Sequence, residues 1–278
     1  MGCKDESHCH AGNCIATFAL LFSKIDLKYL LAPVYLLYKL WIGLVFWLTL
    51  VFLFPLFWIL LRRKKWFPKA FSLKRFWAKL FEVLLFCPVR VHYKGQLPKT
   101  PYIIVSNHSS YLDTVFMYRA FSDYFLFIGK GELLHWPLFR LFFKKMDIPV
   151  ERSSSVKAYN ALQKAYEAID RGECIALYPE GTIPHSAPRM KSFKNGAFKM
   201  AIDKQVPIVP VTWQTCYKIM KDPGEIWSPS LPQKVRVVIH KPVEVSGYSV
   251  MDVIDLRSHV FEIIDSELPA EFRKQHES

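Results

Sequence analysis

The sequence predicts an α/β fold, a mostly parallel central sheet flanked by helices, preceded by an N-terminal hydrophobic, membrane-anchoring helical segment. Three observations predict it. From residue 88 onward, short apolar runs alternate with longer amphipathic stretches, the pattern of strand–helix units. Several strand-like runs are continuously apolar, as strands covered on both faces must be. Ahead of them "WIGLVFWLTLVFLFPLFWILL" extends from Trp41 to Leu61 without a charge. The chain accordingly divides into a flexible tail over 1–24, a membrane-anchoring helical region over 25–87 and a single α/β domain over 88–278.

In the tail, Cys3, His8, Cys9, His10 and Cys14 lie close together. Their spacing matches no zinc pattern, and the flanks carry no structure signals. The six cysteines form no CxxC pair, so they read as reduced thiols on a cytosol-facing body. Next, "LKYLLAPVYLLYK" is a shorter apolar element bounded by Lys28 and Lys39, suited to an interfacial or re-entrant position. The run Trp41–Leu61 as a helix would be about 32 Å long, matching a hydrocarbon core of about 30 Å. A leaflet-dipping hairpin and a true span both fit. Arg62, Arg63, Lys64 and Lys65 follow at once, then Lys69, Lys74, Arg75 and Lys79, against only Lys24, Lys28 and Lys39 comparably near on the N-terminal side. The positive-inside rule puts the C-terminal body in the cytoplasm. The segment "FSLKRFWAKLFEVLLF" reads equally as a surface-lying helix or a packing helix of the domain.

Strands are predicted at "VRVHY", "YIIVS", "YFLFIG", "CIALY", "VPIVPVTW" and "KVRVVIH", with a shorter one at "IPV". A helix between Ser153 and Gly172 would turn Val156, Tyr159, Leu162, Tyr166 and Ile169 inward. A last helix near Val250 to Leu268 would bury Val253, Ile254, Val260, Phe261 and Ile264. The net charge is +13, from 37 Lys+Arg against 24 Asp+Glu, and half the residues are hydrophobic. This suggests an anionic partner, and with so much apolar weight a membrane rather than a nucleic acid, for which no motif is present.

The chemistry-bearing residues cluster after the predicted strands. "NHSSYLD" follows "YIIVS", which puts His108 at a strand-to-helix corner and Asp113 in the first turns of a helix capped by Ser109 or Ser110. At that bend a carboxylate reaches back to hold Nδ1–H and leaves Nε2 as a base. Taken alone, the pair reads as a helix-start histidine and a surface carboxylate. A second segment shifts that balance: "CIALYPEGTIPHSAPRMKSFKNGAFKMA" again ends a strand in a polar loop. It supplies Glu180, Gly181 and Thr182, then Arg189, Lys191 and Lys194, then a helix starting near Asn195, a setting for phosphate. A third, "FIGKGELLHWPLFRLFFKKMDIPVERSS", offers Lys130, Glu132, Arg140 and Arg152.

In this order and spacing the segments resemble the glycerolipid acyltransferases, specifically the 1-acyl-sn-glycerol-3-phosphate (lysophosphatidate) acyltransferases. The likeness rests on Asn107–His108–Asp113, "GKGEL", "IPVERSS", "PEGT" with "FKNGAFKMA", and "VPIVPV" with Pro207 and Pro210, over about residues 88 to 245. The family commonly carries arginine after Glu-Gly-Thr, where this chain has Ile183, so Arg189 or Lys191 would take over that charge. The resemblance implies that 88–278 is an acyltransferase domain. It would move a fatty acyl group from an acyl thioester to the hydroxyl of lysophosphatidate, forming phosphatidate. It implies His108 as general base and Asp113 as its orienting carboxylate. Asn107, Lys130, Arg152, Glu180, Gly181, Thr182, Arg189 and Lys191 would bind substrate. No metal or cofactor is expected. The expected partners are the lipid membrane, lysophosphatidic acid and an acyl donor, either acyl-CoA or acyl carrier protein. No GxSxG elbow is present and no cysteine lies in these motifs, so no covalent acyl-enzyme is expected. Two other readings stay open: the same chemistry on another acceptor (lyso-ornithine lipid or glycerol 3-phosphate), and a non-catalytic basic membrane-binding protein.

Overall fold

The structure, a computed structural model, describes residues 27–131, 137–150, 155–220 and 228–274. The cysteine- and histidine-bearing tail, Glu132 and Arg152 lie outside the described residues.

The two apolar N-terminal runs form one helix, α1 (Leu27–Leu60), with Pro33 and Pro55 inside it. A boundary at Lys39 was expected from its charge. Instead Lys39 is buried, with its ammonium donating to Ser228 Oγ at 2.8 Å. One stripe of α1 (Ala32, Tyr35, Ile42, Val45, Leu53, Phe57) is buried, while Leu37, Leu44, Leu48, Val51, Phe52 and Leu56 are exposed. An apolar helix with only one covered face presents a broad hydrophobic surface of the kind that suits a membrane. α1 is also long and apolar enough to cross a bilayer.

The chain reverses through Arg62–Trp66 into α2 (Phe67–Leu84), which packs back along α1. Tyr38 and Trp41 of α1 donate to the carbonyls of Leu85 and Leu84, and Trp77 donates to Thr49 Oγ1. Of the two readings of this segment, packing holds for the face bearing Ala70, Phe71, Trp77, Ala78 and Phe81.

The sheet then follows: β1 (Val89–Tyr93), β2 (Ile103–Ser106), α3 (Leu112–Ala120), β3 (Phe125–Lys130), α4 (Pro137–Lys145), β4 (Ile148–Val150), α5 (Ser155–Asp170), β5 (Cys174–Leu177), α6 (Gly196–Lys204), β6 (Ile208–Trp213), β7 (Val235–Ile239) and α7 (Val253–Asp265). Strand order is β1-β7-β6-β2-β5-β3-β4, parallel except for the β6–β7 pair. Every predicted strand is present. Alternate strand residues feed two cores. Ile104, Ala176, Val209 and Phe127 pack with α1, α2 and α3 on one face. Ile103, Ile175, Ile208 and Leu126 pack with α5, α6 and α7 on the other. The helical hairpin is thus continuous with the core of the sheet.

Two helix faces differ from expectation. α5 buries Ala161, Ala165, Ala168 and Ile169, leaving Val156 and Tyr159 exposed. Its alanines let the helix approach the sheet closely, so the inward face is narrower and rotated from the bulky residues. α7 buries Val253, Leu256, Val260 and Ile264, while Ile254 is exposed.

Candidate active site

β2 lies between β5 and β6 in the sheet, and all three run in the same direction. Their carboxyl ends therefore open side by side, and the corner after β2 is held from both flanks. On the β6 side the Asn107 amide donates to the Trp213 carbonyl at 3.1 Å, and its Oδ1 accepts the Trp213 N–H at 2.7 Å. Asn107 was expected among the substrate-binding residues. At 1% exposed, with both amide atoms engaged, it pins the corner instead. On the β5 side the His108 N–H donates to Glu180 Oε1 at 2.8 Å, and the Lys191 N–H donates to Oε2 at 2.8 Å. Glu180 is 5% exposed, so this carboxyl also serves as a clamp between two loops rather than a surface facing a ligand.

Between these clamps His108 meets Asp113. Imidazole Nδ1 lies 3.1 Å from Asp113 Oδ2. That oxygen also accepts the backbone N–H groups of Ser109 at 2.6 Å and Ser110 at 2.8 Å, and Asp113 is fully buried. Surrounded by donors, Oδ2 takes the ring contact as a third, so the neutral ring is held as its Nδ1–H tautomer with the Nε2 lone pair directed away from Asp113. Ser110 does cap the first helical N–H, and the helix-start carboxylate also reaches back to the serine N–H groups. Ser110 Oγ accepts the Leu112 N–H at 3.2 Å and donates to the Met220 carbonyl. An acidic group in the first turn also suits the helix dipole.

Tyr178, two residues before Glu180, stacks on the imidazole with centroids 3.9 Å apart and planes 12° apart. It fixes the ring plane and offers a π face to an imidazolium. It was missed in the sequence, where the aromatic ends an apolar strand and reads as core.

Gly181 adopts a left-handed φ of +78° in the turn closed by its N–H to the Tyr178 carbonyl, a conformation glycine adopts without strain. Thr182 is exposed beside it. Arg189 and Lys191 are exposed, and their side chains make no ion pair among the described residues. The Lys191 backbone contact to Glu180 brings that loop to the His108 corner. Lys130 ends β3, neighbour to β5, at this same carboxyl edge.

Burial pushes the Glu180 carboxyl up to about 7 from its ordinary 4.5, opposed by the N–H groups of Lys191 and His108. Between these values the folded chain holds more protons on Glu180 than the unfolded chain does. Its contribution to stability therefore falls as pH rises through that window. The stability of wild type relative to Glu180→Gln should accordingly fall as pH rises from about 4.5 to 7 and stay constant above. The glutamine also leaves one N–H without an acceptor, at about 1–3 kcal/mol. Thermal melts of both proteins across this range check it; parallel curves would refute the assignment.

Known proteins resemble this chain over the segment that carries these residues. A family model described as Acyltransferase matches residues 88–214. A chloroplastic 1-acyl-sn-glycerol-3-phosphate acyltransferase of Arabidopsis thaliana is 30% identical over 195 residues, covering 69% of this chain and 53% of the relative. A probable 1-acyl-sn-glycerol-3-phosphate acyltransferase of Mycoplasma genitalium is 30% identical over 187 residues, covering 63% of this chain and 68% of the relative. The crystal structure of the 1-acyl-sn-glycerophosphate acyltransferase of Thermotoga maritima shares the fold, with a TM-score of 0.69 at 24% identity over 83% of this chain and 92% of that one. Against the first two curated relatives the chain spans about half of their length, 53% and 41%. The likeness extends through the loops that carry His108, Asp113 and Glu180, and on it the chain belongs to the 1-acyl-sn-glycerol-3-phosphate acyltransferase family.

Proposed function

We propose that this protein transfers a fatty acyl group from an acyl thioester to the free hydroxyl of lysophosphatidate, yielding phosphatidate in phospholipid biosynthesis. The observation that carries this reading is the His108–Asp113 contact, at the carboxyl edge of the sheet between two clamped loops. An alcohol is a weak nucleophile at neutral pH. His108 Nε2 takes its proton as the oxygen attacks the thioester carbonyl, and Asp113 stabilises the imidazolium that forms. The new C–O ester bond replaces the C–S bond, and His108 returns the proton to the departing thiolate. Arg189 and Lys191, unpaired among the described residues, supply positive charge for the acceptor phosphate, with Thr182 on the same loop and Lys130 at the end of β3 contributing; the resemblance adds Arg152 to this set. Gly181 lets the backbone turn tightly next to the acceptor. Asn107 and Glu180 position the machinery. The chemistry needs no metal or cofactor, because the acyl donor arrives activated as a thioester of coenzyme A or of acyl carrier protein.

The membrane placement follows from α1 and α2. α2 packs antiparallel along α1 and carries Lys69, Arg75 and Lys79 outside its buried Lys74–Asp147 pair. Crossing the bilayer would take these cations into hydrocarbon at about 2.5–3.5 kcal/mol each. The hairpin instead lies in one leaflet with the exposed apolar face of α1 in the acyl chains. The basic residues after α1 keep the domain on the cytoplasmic side.

Incubating the purified protein with each thioester and a panel of acceptors, reading thiol release and identifying the lipid product, tests the proposal. Phosphatidate from lysophosphatidate is expected, with Lys191→Ala raising the acceptor KM about tenfold or more, a charge-assisted contact being worth roughly 1.5–3 kcal/mol. Faster turnover on a phosphate-free acceptor would overturn it.

A further inference from the structure

At the opposite edge of the sheet from His108 is a second cleft, a cavity of about 1250 Å³ between the start of α2, helices α4 and α5, and the amino ends of β3 and β4. This exceeds the roughly 300–1,000 Å³ of ordinary small-molecule sites. Lys64, Lys65, Arg140, Lys144, Lys145 and Lys164 line it. All six are exposed, and among the described residues none pairs with a carboxylate. Two of the three carboxylates in the lining are already engaged: Asp147 by the Lys74 ammonium at 3.1 Å, and Glu173 by Arg171 at 2.7 Å. Only Glu167 is left to balance six cations.

We propose that this cleft binds the headgroup phosphate of an anionic phospholipid in the membrane on which the protein lies. Its position relative to α1 selects a lipid as the source. Lys64 and Lys65 stand directly after the apolar helix, and the preceding Arg62 guanidinium lies 3.7 Å above the exposed Trp58 ring. A tryptophan–arginine pair at the end of an apolar helix marks the water–hydrocarbon interface, so the cleft opens at the depth of lipid phosphates. It is separate from the acceptor site. Leu126, in its lining, aligns through Ile175 with Ile103, five residues before His108, or about 16 Å along the strands. The inference rests on the leaflet placement of α1 and not on which acceptor the catalytic centre uses.

The test is co-sedimentation of the full chain with zwitterionic vesicles, and with the same vesicles carrying phosphatidate. Each lysine near an anionic surface is worth about fivefold in binding. Lys144→Ala, Lys145→Ala and Lys164→Ala together should remove of the order of a hundredfold of the enhancement that phosphatidate gives. Binding to zwitterionic vesicles, the melting temperature and turnover in detergent micelles should stay unchanged. A control carrying Lys199→Ala, Lys234→Ala and Lys241→Ala, exposed cations outside the cleft, should retain most of the enhancement. Equal losses in the two triple variants would reduce the effect to net charge and overturn the site. So would cleft-dependent binding of glycerol 3-phosphate without vesicle enhancement, which assigns a soluble phosphate. A cleft-dependent complex with acyl carrier protein in the absence of vesicles would reassign it to an acidic protein. Failure of the wild type to bind zwitterionic vesicles would overturn the leaflet placement and with it this site, leaving the catalytic reading untouched.

Discussion

Replacing His108 with alanine will lower turnover by about 10²–10⁴-fold, the contribution of a positioned general base, while the protein stays folded and membrane-bound. The fold should survive because the imidazole, 16% exposed and stacked on Tyr178, is not what holds the corner: Asp113 keeps the N–H groups of Ser109 and Ser110 when the ring is removed. The clamp to Glu180 uses the backbone N–H, which alanine keeps. Measuring thiol release at saturating acceptor, beside a thermal melt and vesicle binding, separates the outcomes. Near-normal turnover would remove the base from the mechanism, and a collapsed melt would assign His108 a structural role.

The second large effect is expected at Asp113. In Asp113→Asn the amide oxygen can occupy the place of Oδ2 and still accept the N–H groups of Ser109, Ser110 and the imidazole. Geometry is then kept and charge is lost. Without that charge beside it the imidazolium is no longer stabilised, so turnover should fall on the order of 10³-fold with only a modest shift in KM. Asp113→Ala should behave differently. It strands two buried N–H donors at about 1–3 kcal/mol each, so it should lower the melting temperature as well as the rate. An asparagine variant that retains most of its turnover would show that the carboxylate only shapes the corner.

Much of this arrangement is written locally in the chain. Strands such as "CIALY" and "VRVHY" announce themselves through short apolar runs, and His108 and Asp113 sit close enough for one bend to join them. What escaped was decided by partners distant in sequence. Asn107 is claimed by the Trp213 backbone, 106 residues on, and Glu180 by the His108 N–H, 72 residues back. No spacing rule reports such backbone donors, so both looked like groups waiting for a substrate. Tyr178 stacks on His108 only because β2 and β5 are neighbours, a matter of sheet order that the sequence does not state. The inward face of α5 was misjudged for another reason. Bulk suggested Val156 and Tyr159, whereas closeness to the sheet favoured alanine. The break expected at Lys39 reflected its charge, which Ser228 satisfies from the other end of the chain.

The one-sided covering of α1 sets the dimension in which this chemistry is counted. If α1 lies flat in a single leaflet, as proposed above, the protein would meet its proposed lipid acceptor by lateral diffusion, and the acceptor would never have to leave the bilayer. Velocity should then follow the mole fraction of lysophosphatidate within the surface, and diluting a fixed amount of it with inert lipid should slow turnover at unchanged bulk concentration.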